Sequence, residues 1–250
     1  MRYFMELSYK GSQYAGFQVQ DNAPTVQLEI EKALAVFYKQ PIKLTGSSRT
    51  DSGVHAMQNY FHFDTGISIL EKHIYNLNAI LPNDIYVRRI FPVDDNTHSR
   101  FHATHRLYHY NICQHKDVFA QDICWHYPYS LNIDKLNAAA ALLMQYQDFT
   151  SFSKRNTQTH TKLCTLSISK WEEVENKLVY KVQSNRFLRG MVRALVATQL
   201  QVGRERISLE DLASIIEIKN CAKADFSAPA HGLFLMEVGY LFEDLQLKGN

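Results

Sequence analysis

Apolar and polar residues alternate along the first strand that the sequence predicts. From Arg2 to Tyr9 every second residue is apolar or aromatic, which is the period of a β-strand with one buried face. After Pro24 the apolar positions recur every three or four residues, which predicts a helix whose first turn is capped by Thr25. Similar patterns predict a strand over 42–47, a strand over 56–63, a helix over 69–80 and a strand over 85–93. The first hundred residues are therefore expected to have the order β-α-β-β-α-β.

The rest of the chain repeats this order loosely. It predicts a strand over 106–113, a helix over 133–146, a hairpin of 165–174 with 178–184, a helix over 187–200, a helix opened by the Ser208-x-x-Asp211 capping box, and a strand over 233–242. No low-complexity linker separates the two parts, which favours halves that share a sheet over separate domains. We predict an α+β fold in which two βαββαβ-like halves, residues 1–105 and 106–250, share a mostly antiparallel mixed central sheet flanked by helices.

Charge is distributed unevenly along a chain whose total is only weakly basic. The 250 residues carry a formal net charge of +2, which alone does not indicate a nucleic-acid partner. Between Lys181 and Arg206, however, six residues are basic and one is acidic. Such a concentration suits a groove that binds phosphates, although a solvent-facing basic helix would have the same composition.

Cysteine usage and hydropathy indicate the compartment. The four cysteines, at positions 113, 124, 164 and 221, show neither a C-x-x-C pair nor zinc-like spacing, so we expect reduced thiols in a cytosolic protein. The N-terminal residues lack the apolar core of a signal peptide, and no run of 18 apolar residues occurs. We therefore expect a cytoplasmic protein that is neither exported nor inserted into a membrane.

One short segment, from Gly46 to Ala56, carries candidate chemistry. Arg49 and Asp51 are two residues apart, so in an extended chain both would lie on the same side. A nearby arginine stabilises an ionised carboxylate and lowers its pKa, as a nucleophile or a base requires. Gly53 permits a turn, and neighbouring hydroxyls can fix it. Taken alone, an Arg-x-Asp pair is more often a solvated surface turn.

The sequence Arg49-Thr-Asp-x-Gly-Val-His-Ala resembles the catalytic motif of the tRNA pseudouridine synthase A family. The resemblance covers essentially the whole chain. Further matching segments are Tyr9 to Gln18, Asn78 to Ile85, Arg106 to Tyr110, Phe187 to Arg193 and Gly232 to Leu235. Ser48 stands where the family commonly has glycine, so the entry to the motif is expected to differ there.

The resemblance implies a fold, a reaction and a set of site residues. It implies the pseudouridine synthase fold and the isomerisation of uridine to pseudouridine at positions 38, 39 and 40 of the tRNA anticodon arm, without a cofactor, by a homodimer. Asp51 would be the catalytic carboxylate, acting as nucleophile or in deprotonation, supported by hydrogen bonds from its loop. Arg193 would pair with Asp51 in a cleft between the halves. Arg49 would steady the flipped nucleotide or fill the space that it leaves in the stem, and Tyr108 would stack on the target base.

Other polar residues are candidates for RNA contacts or for metal binding. Arg100, Lys154, Arg155 and Arg189 are expected to bind RNA phosphates, together with His160 and Lys162 near two of them. Arg189 and Arg193 would lie together on the helix predicted over 187–200. The histidine series from His98 to His115 fits no standard ligand spacing, so no metal site is expected and these residues would instead help to line a phosphate groove.

Alternative functions remain open at this stage. A non-catalytic RNA-binding protein or RNA chaperone would keep the basic residues and aromatic rings without needing Asp51, Arg49 and Tyr108 together. A pseudouridine synthase with other target sites is a further alternative. A Ser-His-Asp hydrolase is disfavoured because the chain has no Gly-x-Ser-x-Gly elbow, and it also has no P-loop or dinucleotide fingerprint.

Overall fold

The computed structural model describes residues 1–155 and 161–241. The chain forms two compact units. The first comprises Met1–His105 together with the chain from Phe234 onward, and the second comprises Arg106–Leu233. The last strand thus belongs with the N-terminal residues, whereas it was predicted to lie in the second half. Within the described residues, no helix is both long enough and apolar enough to span a membrane.

The first unit combines a mixed sheet with two helices. Its elements are β1 (Arg2–Tyr9), α1 (Val26–Tyr38), β2 (Thr45–Gly46), β3 (His55–Asp64), α2 (Lys72–Ile80), β4 (Ile85–Val93) and β9 (Leu233–Tyr240). Strand β1 pairs antiparallel with both β3 and β4, and β2 also pairs antiparallel with β3. Strand β9 runs parallel to β3, with His55 opposite Phe234. The sheet order β4-β1-β3-β9 places β1 and β3 at its centre.

Local sequence explains how these elements begin and pack. The Thr25 side chain accepts a hydrogen bond from the Leu28 N–H at 3.3 Å, which satisfies one of the unpaired donors of the first turn of α1. Aromatic side chains fill the core beside the central strands. The rings of Phe17 and Phe61 stack with their centroids 4.5 Å apart, and Tyr9 stacks on Phe17.

The second unit contains a largely buried helix, Met191–Gly203, together with strands and further helices. Its elements are β5 (Ala103–Cys113), β6 (Trp125–His126), α3 (Ile133–Leu143), β7 (Leu166–Val174), β8 (Lys177–Ser184), α4 (Met191–Gly203) and α5 (Leu209–Glu217). The strands are ordered β5-β8-β7 with antiparallel pairing, and β6 runs parallel to β5. The side chain of Asn137 on α3 exchanges two hydrogen bonds with the backbone of Trp171, at 2.8 and 3.1 Å. This exchange ties α3 to β7.

The predicted α+β class is confirmed, with mostly antiparallel strands and helices packed beside them. Several boundaries differ. Helix α2 begins at Lys72 rather than at residue 69, α3 ends at Leu143, and the strand expected over 42–47 is reduced to β2. Strand β6 was not predicted, and the predicted end of β9 at residue 242 lies outside the described residues.

Helix α4 was predicted to begin at residue 187 and begins instead at Met191. Gly190 has φ +74°, a left-handed conformation that costs glycine little and that an α-helix cannot contain. Residues 187–190 therefore form a turn before the helix. The predicted pairing of Arg189 with Arg193 on one helix face is wrong, because Arg189 lies in this turn.

The expectation of four reduced cysteines is also wrong. Cys113 and Cys124 form a disulfide, with their Cα atoms 6.1 Å apart. Cys113 ends β5, and Cys124 precedes β6, so the parallel pairing of these strands brings the two residues together. Cys164 and Cys221 are free, and burial raises the pKa of the Cys164 thiol to about 11.

A buried histidine in the first unit couples its stability to pH. The His62 side chain is 5% exposed and forms a 2.8 Å hydrogen bond with the Ser99 hydroxyl through Nδ1. Burial lowers the pKa of His62 to about 4, and the charges of His98 and Arg2 act in the same direction, against Asp64. In the folded first unit the imidazole of His62 is therefore neutral.

We predict that the free energy of unfolding falls as the pH is lowered from about 6.5 towards 4, because the unfolded chain takes up a proton that folded His62 excludes. The His62 contribution over the whole window is on the order of 3 kcal/mol. Urea unfolding at pH 7, 6 and 5 measures it. The variant His62→Gln should show a shallower pH dependence, and His126→Gln, at an exposed position, should match the wild type. Equal slopes for all three proteins would refute the assignment.

Candidate active site

Arg49 and Asp51 are presented by the loop between β2 and β3. Arg49 is exposed and Asp51 is half-exposed, whereas Thr50 between them is buried. This alternation is that of an extended chain, in which successive side chains lie on opposite sides. The guanidinium and the carboxylate are therefore available to a ligand while Thr50 anchors the loop.

The loop is braced by the segment that follows β1. The Phe17 N–H donates to the Thr50 carbonyl at 3.1 Å, and the Gly53 N–H donates to the Tyr14 carbonyl at 3.3 Å. The Ser52 hydroxyl donates to the same Tyr14 carbonyl at 3.2 Å. Gly53 has φ +79°, so the turn after Asp51 uses the conformational freedom of glycine that the sequence predicted.

Close backbone contact explains a glycine of the bracing segment. The Gly11 N–H donates to Nδ1 of His55 at 3.0 Å, and the His55 ring stacks on Phe234 with centroids 4.5 Å apart. A Cβ atom at Gly11 would lie 2.0 Å from the Val54 carbonyl oxygen. The two backbones meet at a distance that only glycine permits.

The hydroxyl groups on either side of Asp51 bond the strand and the segment that brace the loop. The Thr50 hydroxyl forms its hydrogen bond with Tyr9, and the Ser52 hydroxyl donates to the Tyr14 carbonyl. Both hydroxyls therefore fix the backbone.

The entry to the loop accepts serine at position 48, where glycine was expected from the family resemblance. Ser48 does not adopt a positive φ, so its backbone conformation does not require glycine.

Two residues beneath the loop were not identified from the sequence. Tyr9 and Asn59 are buried and are hydrogen-bonded to each other at 3.2 Å. Asn59 could have been recognised, because it occupies a strand position in register with Leu7, on the apolar side of β3. A polar side chain at such a position needs partners, and its partners lie in the loop.

Tyr108 lies on β5 in the second unit. Its side chain is 8% exposed, and its ring meets that of Phe187 edge-on, with centroids 5.1 Å apart. Phe187 lies four residues before the start of α4. Two residues beyond Tyr108, Tyr110 is fully buried, and its hydroxyl donates to the Pro229 carbonyl at 2.7 Å. Burial raises the pKa of Tyr110.

Arg193 is more exposed than its neighbours on α4. Every other residue of α4 from Met191 to Leu200 is buried, whereas Arg193 is half-buried. Its Nε donates to the Ala228 carbonyl at 2.6 Å, which fixes the plane of the guanidinium. A half-buried guanidinium loses part of its hydration, and the bond to Ala228 offsets part of this cost.

Three of the four predicted RNA-binding residues lie together at the start of α4. The Lys154 N–H donates to the Arg189 carbonyl at 3.0 Å, and the Lys154 side chain lies against Gly190. Arg155 and Arg189 are exposed. The fourth residue, Arg100, is exposed in the first unit, with its guanidinium 6.0 Å from the ring centroid of Phe101.

Several other basic side chains contact acidic or aromatic side chains. Lys181 forms an ion pair with Glu172 at 2.5 Å, and the guanidinium of Arg204 lies 3.6 Å from the ring centroid of Tyr129. Arg89 pairs with the buried Glu6 at 2.5 Å. Within the basic run of the second unit, Lys181 and Arg204 thus contact other side chains, whereas Arg189 and Arg206 are exposed.

The histidine series does not gather into one site. His105 pairs with Glu237 at 3.2 Å, and the ring of His98 contacts that of His62 with centroids 4.5 Å apart. His160, expected near the phosphate contacts, lies outside the described residues. Among residues 1–155 and 161–241 there is no group of three or more histidine, cysteine, aspartate or glutamate side chains that could hold a metal ion.

The features of the two units point to a class of protein. An accessible arginine and carboxylate on a braced loop, and exposed cations in the second unit, are features expected of an enzyme that acts on RNA. A family model described as tRNA pseudouridine synthase matches residues 7–102 and 139–241. The chain belongs to the tRNA pseudouridine synthase family, which confirms the resemblance found in its sequence and the predicted isomerase class.

Curated relatives match nearly the whole chain. The tRNA pseudouridine synthase A of Parabacteroides distasonis is 41% identical over 241 residues, which cover 96% of each chain. The protein of the same name from Porphyromonas gingivalis is 39% identical over 248 residues, covering 96% of this chain and 97% of the relative. That of Staphylococcus aureus strain N315 is 39% identical over 251 residues, covering 99% and 94%.

Because Gly11 lies against the Val54 carbonyl, one methyl group added at Gly11 is expected to lower the stability of the fold. Gly11→Ala would place a Cβ atom against a backbone oxygen, so we expect the free energy of unfolding to fall by about 2 kcal/mol or more. The matched control is Gly66→Ala, because a Cβ atom there meets nothing within 4 Å. The control should change stability by less than about 1 kcal/mol in the same urea titration. Equal stability of the two variants would contradict the close contact.

Proposed function

We propose that this protein isomerises uridine to pseudouridine at positions 38, 39 and 40 in the anticodon arm of tRNA, with Asp51 as the catalytic carboxylate. The observation that supports it most directly is the Arg49–Asp51 motif on a braced, accessible loop, in a chain that belongs to the tRNA pseudouridine synthase family. The reaction breaks the N1–C1′ bond and forms a C5–C1′ bond. The C5 proton is lost and N1 gains one, so no cofactor is needed.

Asp51 is the residue on which this proposal depends. Its carboxylate either attacks the substrate as a nucleophile or assists deprotonation at the ribose, and both roles need the ionised form. A half-exposed carboxylate on a rigid loop can meet an extruded nucleotide without rearrangement of the backbone. Arg49, exposed two residues earlier, steadies the flipped nucleotide.

Two residues of the second unit complete the proposed set. Arg193 supplies a positive charge for the Asp51 carboxylate, and its Nε bond to Ala228 supports this role because it fixes the guanidinium. Tyr108 stacks on the uracil while the detached base turns, and its contact with Phe187 supports this role because it orients the ring.

Recognition of tRNA is proposed to depend on shape and backbone charge. One enzyme that modifies three neighbouring positions in different sequences cannot rely on base-specific contacts alone. Lys154, Arg155 and Arg189 supply cations at the start of α4, where the helix dipole also favours phosphate. We further propose that the protein acts as a cytoplasmic homodimer, as the family resemblance implies.

We predict that Asp51→Asn abolishes pseudouridine formation, lowering turnover by at least about 1,000-fold, because asparagine can act neither as the nucleophile nor as the base. Binding of tRNA should stay within a few-fold of the wild type. Unmodified tRNA is incubated with each protein, and pseudouridine is detected by carbodiimide labelling and primer extension, which also maps the modified positions. Asp21→Asn, the same change at an exposed aspartate of the first unit, is the control and should be fully active.

The outcomes separate the alternatives. Product from the Asp51→Asn variant would overturn the assignment of the carboxylate. Binding of tRNA by the intact protein without any product would favour a non-catalytic RNA-binding protein or RNA chaperone. Product at other positions would keep the reaction and replace the proposed target sites.

We also predict that Arg189→Gln weakens tRNA binding across tRNA sequences and reduces the slope of log K against log salt by about 1, because one phosphate contact is lost. The control is Arg206→Gln, an exposed arginine beyond the other end of α4, which should keep the wild-type slope. Filter binding over a salt series measures both. The assignment of Arg189 to a phosphate contact fails if the two variants have the same slope.

A further inference from the structure

We propose that Tyr9 and Asn59 are positioning residues that hold the Arg49–Asp51 loop in its active geometry. They form a buried hydrogen-bond network that fixes the backbone on both sides of Arg49. This inference rests on the catalytic role proposed for Asp51. Neither residue is exposed to a ligand, so their effect on the reaction is transmitted through the loop.

Asn59 lies at the centre of the network. Its side chain is fully buried on β3, and both ends of the amide are engaged. Nδ2 donates to the Ser48 carbonyl at 3.1 Å and to the Tyr9 hydroxyl at 3.2 Å. Oδ1 accepts from the Ser47 hydroxyl at 2.8 Å and from the Tyr60 N–H at 2.9 Å. All four hydrogen-bonding positions of the amide are therefore used.

The orientation of this amide is determined by its partners. The Tyr60 N–H can only donate, so the atom facing it must be the oxygen. The Ser48 carbonyl can only accept, so the atom facing it must be the nitrogen. Two contacts on opposite ends thus select one rotamer, which fixes the Ser48 carbonyl immediately before Arg49.

Tyr9 connects the same amide to the residue between Arg49 and Asp51. Its hydroxyl lies 2.7 Å from the Thr50 hydroxyl, and its ring stacks on Phe17 with centroids 5.7 Å apart. The Phe17 N–H in turn donates to the Thr50 carbonyl at 3.1 Å. Thr50 is consequently held by its side chain and by its backbone.

This arrangement affects turnover more than binding. A catalytic group that is held in place needs no reorganisation during the reaction, and displacements of about 1 Å can reduce rates by about 100-fold. Affinity for tRNA is expected to depend on the exposed cations, which the network does not touch. Loss of the Tyr9 hydroxyl should therefore lower kcat and leave KM for tRNA nearly unchanged.

The test removes single hydroxyl groups without changing side-chain shape. Tyr9→Phe keeps the ring stacked on Phe17, and Thr50→Val keeps the branched side chain. We expect each variant to lower kcat about tenfold, with KM for tRNA within about twofold of the wild type. Because both variants delete the same hydrogen bond, the double variant should be little worse than either single one.

The matched control is Tyr60→Phe, the neighbouring residue on β3. Its buried hydroxyl donates to Glu6 at 3.0 Å and accepts from Gln58 at 2.9 Å, on the opposite face of the strand. This variant also deletes a buried hydroxyl, so a comparable fall in melting temperature is expected. Its kcat should match the wild type, because the deleted contacts do not involve the loop.

Three results would overturn the inference. They are an unchanged kcat for Tyr9→Phe, an equal loss of kcat for Tyr60→Phe, and a loss expressed only in KM. Each of these leaves the proposed function intact, provided that the wild type makes pseudouridine and Asp51→Asn does not. An inactive wild type would instead refute the proposed function.

Discussion

Close backbone contact between the segment that follows β1 and the Arg49–Asp51 loop is the constraint on which the first unit depends. Gly11 approaches the Val54 carbonyl so closely that no Cβ atom fits, and Gly16, with φ +118°, would place one 3.1 Å from the Thr50 carbonyl. Main-chain hydrogen bonds can then run directly from this segment to the loop. A functional loop between two strands is usually mobile, whereas this one has the rigidity of the sheet beside it.

The network beneath the loop follows from the same constraint. Polar atoms buried beneath the loop need hydrogen-bond partners, because an unsatisfied buried polar group costs free energy. Among the described residues, no buried side-chain nitrogen or oxygen lacks a hydrogen bond. Asn59 meets this requirement with one side chain, because an amide offers two donors and two acceptors. An apolar residue at this position would remove the hydrogen bond to the Ser48 carbonyl.

Local signals allowed much of the fold to be predicted from the sequence. Strand β1, the Thr25 cap of α1 and the Ser208 capping box each depend on residues within one turn or strand, and each was found. The start of α4 was missed because the apolar spacing continues through Gly190, whose φ of +74° is a property of the folded backbone. The Cys113–Cys124 disulfide was missed because it depends on the pairing of β5 with β6. The motif revealed Asp51, but the partners of Asn59 are distant in sequence.

The hydrogen bonds of the loop hydroxyls bear on which groups balance the negative charge of Asp51. The hydroxyls near Asp51 were predicted to fix the loop, and those of Thr50 and Ser52 bond Tyr9 of β1 and the Tyr14 carbonyl. These hydroxyls therefore contribute geometry, and our proposal assigns the balancing of the negative charge to cations. Arg49 is carried by the same loop, and Arg193 is the further cation of our proposal. Arginine suits this role because its guanidinium is always protonated and its planar fork of N–H donors can hold a carboxylate in one orientation.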